Sequence, residues 1–141
     1  MGPIAIRTRK WRAAPARVRR AAETAALVLR SNHQGDFDPG SGEHWVTWSE
    51  ENGRVISLAV WQLWGEKLFI GTAWTYSTKR RQGHYRHIVE ALVRISRRRK
   101  LTTLAAGLHP KNRASLKAHM GSGFVQEAIY VERRIGERDA R

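Results

Sequence analysis

Basic residues surround a single glycine at 80–86, RRQGHYR. This segment lies between a strand-like run and a helix-like run. The first amides of the predicted helix have no acceptor within the helix, and they carry the positive end of the helix dipole. Phosphate is a natural ligand of such a helix start, and neighbouring arginines add charge-assisted hydrogen bonds to it. The segment therefore predicts a site for a phosphate-bearing ligand.

Other polar residues suggest weaker chemistry. His84, His87 and Glu90 are three residues apart on one predicted helix, as metal ligands can be. One helix offers too few ligands without a further cluster, and the chain has no cysteine, so we expect no metal site. Glu43 and His109 are candidates for a general base, as is His44, but none stands out, and we expect water or an easily deprotonated amine instead.

The elements that must position these residues follow from the hydrophobic periodicity. Alternating residues indicate strands, and apolar residues three and four apart indicate helices. The long polar segment 31–43 is predicted to be a loop. The predicted strands are 4–9, 44–50, 54–64, 67–76, 101–109 and 124–135, and the predicted helices are 13–30, 85–100 and 112–122. Short reversals at 51–53 and 65–66 make the three middle strands an antiparallel meander, so the order predicts a mixed α/β sheet.

The composition bounds the class of protein. The 141 residues carry a net charge of +14, which attracts anions such as nucleic acid, acidic lipid or a polyphosphate ligand. No apolar run is long enough to span a membrane, and we expect a soluble, cytoplasmic protein. The acid-poor start looks like a transit peptide, but its strand and helix patterns favour a folded segment. We expect one domain at 1–135 and a polar tail at 136–141, and the sequence leaves the oligomeric state open, a dimer included.

Two motifs together resemble a known family. The turn Arg80, Arg81, Gln82, Gly83 and the block that begins Asn112-Arg113-Ala114-Ser115 and ends Gly123-Phe124 resemble the motifs of the GNAT superfamily of acyl-CoA-dependent N-acyltransferases. The motifs occur in the family's order, separated by one helix and one strand. The resemblance implies a GNAT-like, mostly antiparallel sheet with a splayed central strand pair, flanked by helices.

The resemblance also implies where acetyl-CoA binds as the acyl donor. The pantetheine arm would lie between the splayed strands, and the diphosphate would lie on the amides of the turn. The implied donor-binding residues are Trp74, Thr75, Tyr76, Arg80, Arg81, Gln82, Gly83, His84, Tyr85, Arg86, Asn112 and Ser115. Tyr85 departs from the small residue of the family turn, so its ring either points aside or alters donor binding.

His119 aligns with the tyrosine that protonates the leaving thiolate in many family members. An imidazole suits that role near neutral pH. The implied reaction is acetyl transfer to a primary amine, and the positive charge favours an amine attached to an anion such as RNA or DNA. Candidate phosphate contacts for that acceptor are Arg12, Arg17, Arg19, Arg20 and residues 97–100. Two alternatives remain: a basic nucleic-acid-binding module without chemistry, and an aminoacyl-tRNA-dependent transferase on the same fold.

Overall fold

Five strands and three helices make up the described part of the chain. The structure, a computed structural model, describes residues 4–31, 43–107, 113–121 and 124. The strands are β1 (Ala5–Lys10), β2 (Trp45–Glu51), β3 (Arg54–Trp64), β4 (Lys67–Thr75) and β5 (Thr103–Ala106). The helices are α1 (Ala16–Ser31), α2 (His84–Arg98) and α3 (Arg113–Gly121). Short 3₁₀ turns precede α1 and follow β4.

The strands form one mixed sheet in chain order. β1 to β4 are antiparallel neighbours, and β5 runs parallel to β4. The two middle reversals contain residues with left-handed backbone, Asn52 and Gly53 in the first and Gly65 in the second. Such turns match the twist of a hairpin. The predicted meander and the mixed α/β sheet are confirmed.

Helices cover both faces of the sheet. On one face α1 packs through small residues, and this α1-side core contains Ala14, Val18, Ala22, Val46, Trp48, Leu58 and Val60. On the other face lies the α2-side core, which contains Ala59, Trp61, Leu68, Ile70, Ile88, Leu92 and Ile95. The apolar stripe of each helix accounts for this burial, as the periodicity predicts.

A bulge in β4 changes which residues face each core. Ile70 pairs with Trp61 and Thr72 pairs with Val60. Because Trp61 and Val60 are adjacent on β3, the residue between Ile70 and Thr72, Gly71, is an extra residue on β4. Ile70 lies in the α2-side core, whereas Trp74 packs against the α1-side core. Strict alternation would place both on one face; the bulge reverses the faces beyond Gly71.

The observed bounds differ from the predicted ones by one to three residues at most ends. The α2 helix begins at His84, one residue earlier than predicted, because Gly83 adopts the left-handed conformation just before it. β5 is described only for Thr103–Ala106, inside the longer predicted strand. The predicted loop 32–42, the last strand beyond Phe124 and the tail 136–141 lie outside the described residues. Within the described ranges, no helix is long and apolar enough to cross a membrane.

Candidate active site

Within the described residues, the pairing of the two central strands covers only the first part of β4. Pairing between β4 and β5 ends at Ile70 and Ala106, and the Gly107 N–H donates one more hydrogen bond, 3.2 Å long, to the Ile70 carbonyl. β4 then continues for five residues to Thr75 and stays paired with β3. From Gly71 onward, next to the bulge, one main-chain edge of β4 therefore has no strand partner in the part of the chain that the structure describes; we call it the open edge.

The register shows which main-chain groups face this opening. The Tyr76 N–H donates to the Ile56 carbonyl at 2.7 Å. Hydrogen-bonding direction alternates along an antiparallel strand, so Trp74 also bonds toward β3. Ala73 and Thr75 then direct their N–H and C=O groups to the open side. The Arg80 Nε–H, which donates to the Thr75 carbonyl at 3.0 Å, supports this direction.

These contacts show which of the predicted donor-binding residues of β4 have main-chain groups on the open edge. Thr75 keeps main-chain groups on the open edge, as the resemblance implies. The Tyr76 N–H is engaged with β3, and Trp74 turns its indole toward the α1-side core. Ala73 was missed, because the choice between neighbouring residues depends on the bulge and on pairing with β3.

The start of α2 has the geometry of an anion site. Arg81 and Gly83 have left-handed backbone, with φ of 65° and 79°, and no side chain caps the helix. The His87 N–H already bonds to the Gly83 carbonyl at 3.3 Å, so the amides of residues 84–86 are the ones without an intrahelical acceptor. Successive N–H groups beside a left-handed residue form a concave site for an anion. These residues fit a diphosphate.

The polar side chains of the turn are exposed around those amides. The Gln82 amide donates to the Thr78 carbonyl at 3.3 Å, and Arg80 reaches back to β4. Arg86 points away from the helix start, because its guanidinium donates to the Gly121 carbonyl of α3 at 3.1 Å. Arg80 and Arg81 are therefore the arginines best placed to meet a ligand at the turn.

Tyr85 does not cover the amides of the turn. Its hydroxyl lies 2.9 Å from His119 Nε2, and its ring packs against the α2-side core. The two rings meet edge to face, with centroids 5.1 Å apart. Burial raises the pKa of the Tyr85 hydroxyl, which keeps the phenol neutral. Of the two outcomes that the sequence left open for Tyr85, the structure places its ring aside.

His119 is buried at the end of α3, with 1% of its surface exposed. Phe124 packs edge to face on its ring, and the Phe124 N–H donates to the His119 carbonyl at 3.1 Å. The motif that ends in Phe124 thus holds the helix carrying His119 against α2. Ser115 lies in α3, whereas Asn112 lies outside the described residues.

The candidate bases are not gathered at the opening. His44 is buried, and its Nε2 lies 3.2 Å from the Gln62 side-chain oxygen, while Glu43 is exposed. His109 lies outside the described residues. In the ranges that the structure covers, no three His, Cys, Asp or Glu residues are grouped as metal ligands would be. Of the three residues at three-residue spacing on α2, His84 is buried, whereas His87 and Glu90 are exposed.

Two of the arginines that were predicted to contact phosphate donate hydrogen bonds to groups within the protein. Arg17 donates to Glu50 at 2.7 Å, and Arg7 pairs with the same carboxylate at 3.2 Å. The Arg17 hydrogen bond is the main cause that lowers the pKa of Glu50, with charge from both arginines, against an opposing desolvation. Arg19 donates to the Ala14 carbonyl. The Arg17 and Arg19 guanidiniums therefore each have one acceptor within the protein, and their contact with an external phosphate stays a prediction.

Known proteins match this chain in structure and not in sequence. No family model and no curated protein matches the sequence. AAC(6')-Iy in complex with a bisubstrate analogue, CoA-S-monomethyl-acetylneamine, matches with a TM-score of 0.59 at 15% identity, over 95% of this chain and 100% of that chain. An aminoglycoside acetyltransferase, meta-AAC0020, from an uncultured soil metagenomic sample matches with a TM-score of 0.66 at 9% identity, over 94% and 97%. An IAA acetyltransferase from Bacillus cereus matches with a TM-score of 0.60 at 12% identity, over 84% and 75%.

These structural neighbours are acetyltransferases, and one of them is bound to a CoA analogue. The chain has the fold of the GNAT acetyltransferases, as its two motifs predict. At these identities the likeness concerns the fold. The chemistry has to be argued from the residues of this chain.

Proposed function

We propose that this protein is an N-acetyltransferase that transfers the acetyl group of acetyl-CoA to a primary amine. One observation carries the proposal: the edge of β4 from Gly71 to Thr75, which has no β5 partner among the described residues, is followed along the chain, after residues 76–83, by the uncapped amides at the start of α2. An acyl-CoA has an amide-containing arm and a diphosphate in the same order. The fold of the neighbours supports the same assignment.

Each part of the site has a proposed task. The main-chain groups of Ala73 and Thr75 hydrogen-bond the arm, as a further strand would. The amides of residues 84–86 hold the diphosphate, and Arg81 adds charge from the exposed turn. Arg80 must release the Thr75 carbonyl for the arm to bind there. The charge of the diphosphate is a suitable replacement partner for its guanidinium.

The reaction needs few protein groups. A new N–C bond forms as the C–S bond breaks, the amine gives up one proton to water, and the sulfur gains one proton. We assign the delivery of that proton to His119, which lies on α3 at the position that the resemblance gives to the family's tyrosine. Tyr85 stays neutral because its pKa is raised, so its hydroxyl orients the imidazole through their hydrogen bond and does not act as a base.

The acceptor that we propose is an amine attached to an anion, such as an amine on a nucleotide or an RNA. A net charge of +14 opposes the approach of polycations and draws anions in. Aminoglycosides, after which the activity of the neighbours AAC(6')-Iy and meta-AAC0020 is named, carry several positive charges and are unfavourable partners on this ground. The acceptor would enter beside the bulge, where β4 and β5 part.

The test measures acetyl-CoA binding in a matched pair of variants. Gly83→Asp places a carboxylate beside the amides, while Gly83→Asn has nearly the same shape without the charge, and both residues tolerate left-handed backbone. By isothermal titration calorimetry we expect Gly83→Asp to weaken acetyl-CoA binding at least about tenfold relative to Gly83→Asn, through repulsion of about 1.4 kcal/mol. If the unaltered protein bound no acetyl-CoA, or if both variants bound it equally, the proposed function would be wrong.

A further inference from the structure

A second concentration of positive charge lies at the opposite end of α2 from the diphosphate site. The Arg99 guanidinium lies over the Trp45 indole, 4.7 Å from its centroid, and the Lys10 ammonium lies 5.5 Å from the same centroid. Lys10 ends β1, Trp45 begins β2, and Arg99 follows α2. We call these three residues the Trp45 cluster. Exposed basic neighbours along the chain extend it, namely Arg12, Arg97, Arg98 and Lys100.

The packing beneath Trp45 makes this cluster a fixed arrangement. Trp45 stacks on Trp61, with centroids 5.4 Å apart and planes 8° from parallel, and Trp61 is fully buried. The Trp61 indole N–H donates to Thr47 at 3.0 Å. Because the core anchors the indole, the two cations above it are held close together. Because both cations lie within 5.5 Å of the same ring centroid, they are at most about 10 Å from each other, which is roughly one Debye length at 0.1 M salt.

The charges of the cluster lack acidic partners within the described residues. The three ion pairs of that part of the chain join Arg7 and Arg17 to Glu50 and Lys79 to Glu51. Glu50 and Glu51 end β2, whereas Trp45 begins it, so those carboxylates lie at the far end of the strand. Glu43 is near in sequence but forms none of these pairs. Like charges gathered without an internal counter-charge are a site for an external anion.

Helix stabilisation does not account for the cluster. Cations in the last turn of a helix stabilise its dipole, and this explains Arg97 and Arg98. Arg99 lies beyond the last helical residue and places its guanidinium on an indole from another element. Lys10 comes from β1 and adds a second cation to the same ring.

A nucleic acid is the partner that this surface fits best. Arginine forks bind phosphate oxygens in pairs, and a row of cations from two elements suits a repeating phosphate backbone. A membrane-binding surface would need several exposed apolar side chains beside the cations. The exposed Trp64 stacks on Phe69, which alternates to the face opposite the α2-side core and thus away from Trp45.

We propose that the Trp45 cluster binds the phosphate backbone of a nucleic acid strand. α2 has 15 residues, so the cluster lies about 22 Å from the diphosphate site, a distance of roughly seven stacked nucleotides. Binding of the nucleic acid by the cluster does not depend on acetyl transfer. The further step, in which the bound nucleic acid brings the acceptor amine to the β4–β5 opening, rests on the proposed function.

The experiment measures binding of a fluorescein-labelled oligouridylate of about 20 nucleotides by fluorescence anisotropy across a salt series. Lys10→Gln/Arg99→Gln removes the two cations on Trp45. Arg30→Gln/Arg54→Gln removes the same charge from two exposed positions outside the cluster, one on α1 and one on β3. We expect the first pair to weaken binding at least about tenfold, with a salt slope lower by about 1.4, and the second pair to change it less than about threefold.

Further measurements keep the outcomes separate. Circular dichroism and acetyl-CoA titration should be unchanged in Lys10→Gln/Arg99→Gln, so loss of RNA binding is not loss of the fold or of the donor site. If that variant unfolded, Arg97→Gln/Arg98→Gln, at exposed positions beside the cluster, would carry the same expectation. The proposal would be overturned if the protein bound no oligouridylate, if the cluster variant and the Arg30→Gln/Arg54→Gln control lost binding equally, or if phosphatidylserine vesicles bound the cluster more strongly than the oligouridylate did.

Discussion

Tyr85 shows how one side chain can leave a main-chain site open. A large ring at the second residue of α2 would obstruct the amides if it pointed outward. It points inward to His119, and the two rings and Phe124 form a contiguous edge-to-face set. The same inward position gives His119 a fixed hydrogen-bond partner, which is a requirement for delivering a proton to one atom.

Replacing Tyr85 by phenylalanine tests this orienting role. The ring packing stays and only the hydrogen bond to His119 is lost, worth about 1 kcal/mol, so we expect kcat to fall about fivefold with KM for acetyl-CoA unchanged. Nitrogen chemical shifts of the His119 ring should also change, because its tautomer loses its partner. The control is Tyr76→Phe at an exposed ring. An unchanged imidazole spectrum together with wild-type kcat would contradict the assignment.

Glu50 predicts a pH dependence of stability. Its pKa is lowered in the folded protein, so its contribution is fully present above the unfolded value of about 4.3 and is lost as the pH falls through the folded value. We expect Glu50→Gln to cost about 1 kcal/mol at neutral pH, a modest amount because both arginines are about half exposed. Urea unfolding measures this difference in unfolding free energy between wild type and Glu50→Gln, and the difference should disappear as the pH falls below about 4. If the difference did not change with pH, or if the exposed Glu23→Gln gave the same difference, the ion pairs of Glu50 would not be its cause.

At the scale of elements, the separation of β4 from β5 depends on close packing at its apex. Gly107 makes the last hydrogen bond to β4 within the described residues, and a Cβ built on it would lie 2.7 Å from the Phe69 ring. Phe69 cannot move freely, because it stacks on Trp64 with centroids 3.9 Å apart. Only a residue without a side chain fits between β5 and this ring pair.

Gly107→Ala should therefore destabilise the protein by about 1–3 kcal/mol through overpacking. In a Phe69→Leu background the same substitution should cost about 1 kcal/mol less, since the obstructing ring atoms are gone. Urea denaturation of the four proteins measures this coupling. Gly121→Ala is the control, because nothing lies within 4 Å of its added methyl group. Equal costs of Gly107→Ala in both backgrounds would show that Phe69 is not the cause.

The elements also show which features could be predicted from sequence. The order of elements along the chain, the reversals at Gly53 and Gly65 and the turn before α2 follow from local patterns, and each was predicted; phosphate binding by that turn stays a prediction. The bulge was not predicted: a glycine inside a strand pattern, such as Gly71, can signal a bulge, but the extra residue is defined only by the pairing with β3. The contact of Tyr85 with His119 joins residues 34 apart in sequence, so periodicity gives no sign of it.

At the scale of the whole molecule, the charge of +14 affects encounter more than chemistry. Only three ion pairs occur within the described residues, so most of the basic side chains there face solvent. Such a field raises the association rate of anions and lowers that of cations, and salt screens both effects. Two acceptors with the same reactive amine and opposite charge should therefore respond to salt in opposite directions.

This gives a prediction for kcat/KM measured with two amine acceptors. An amino-modified oligonucleotide should lose activity as salt rises from about 50 to about 200 mM, by at least about tenfold, because counterion release favours its binding at low salt. A polycationic aminoglycoside should react poorly at low salt and gain a few-fold over the same range, because screening removes repulsion. Thiol release reports both reactions. Parallel salt responses, or the aminoglycoside as the better substrate at low salt, would show that surface charge does not select the acceptor.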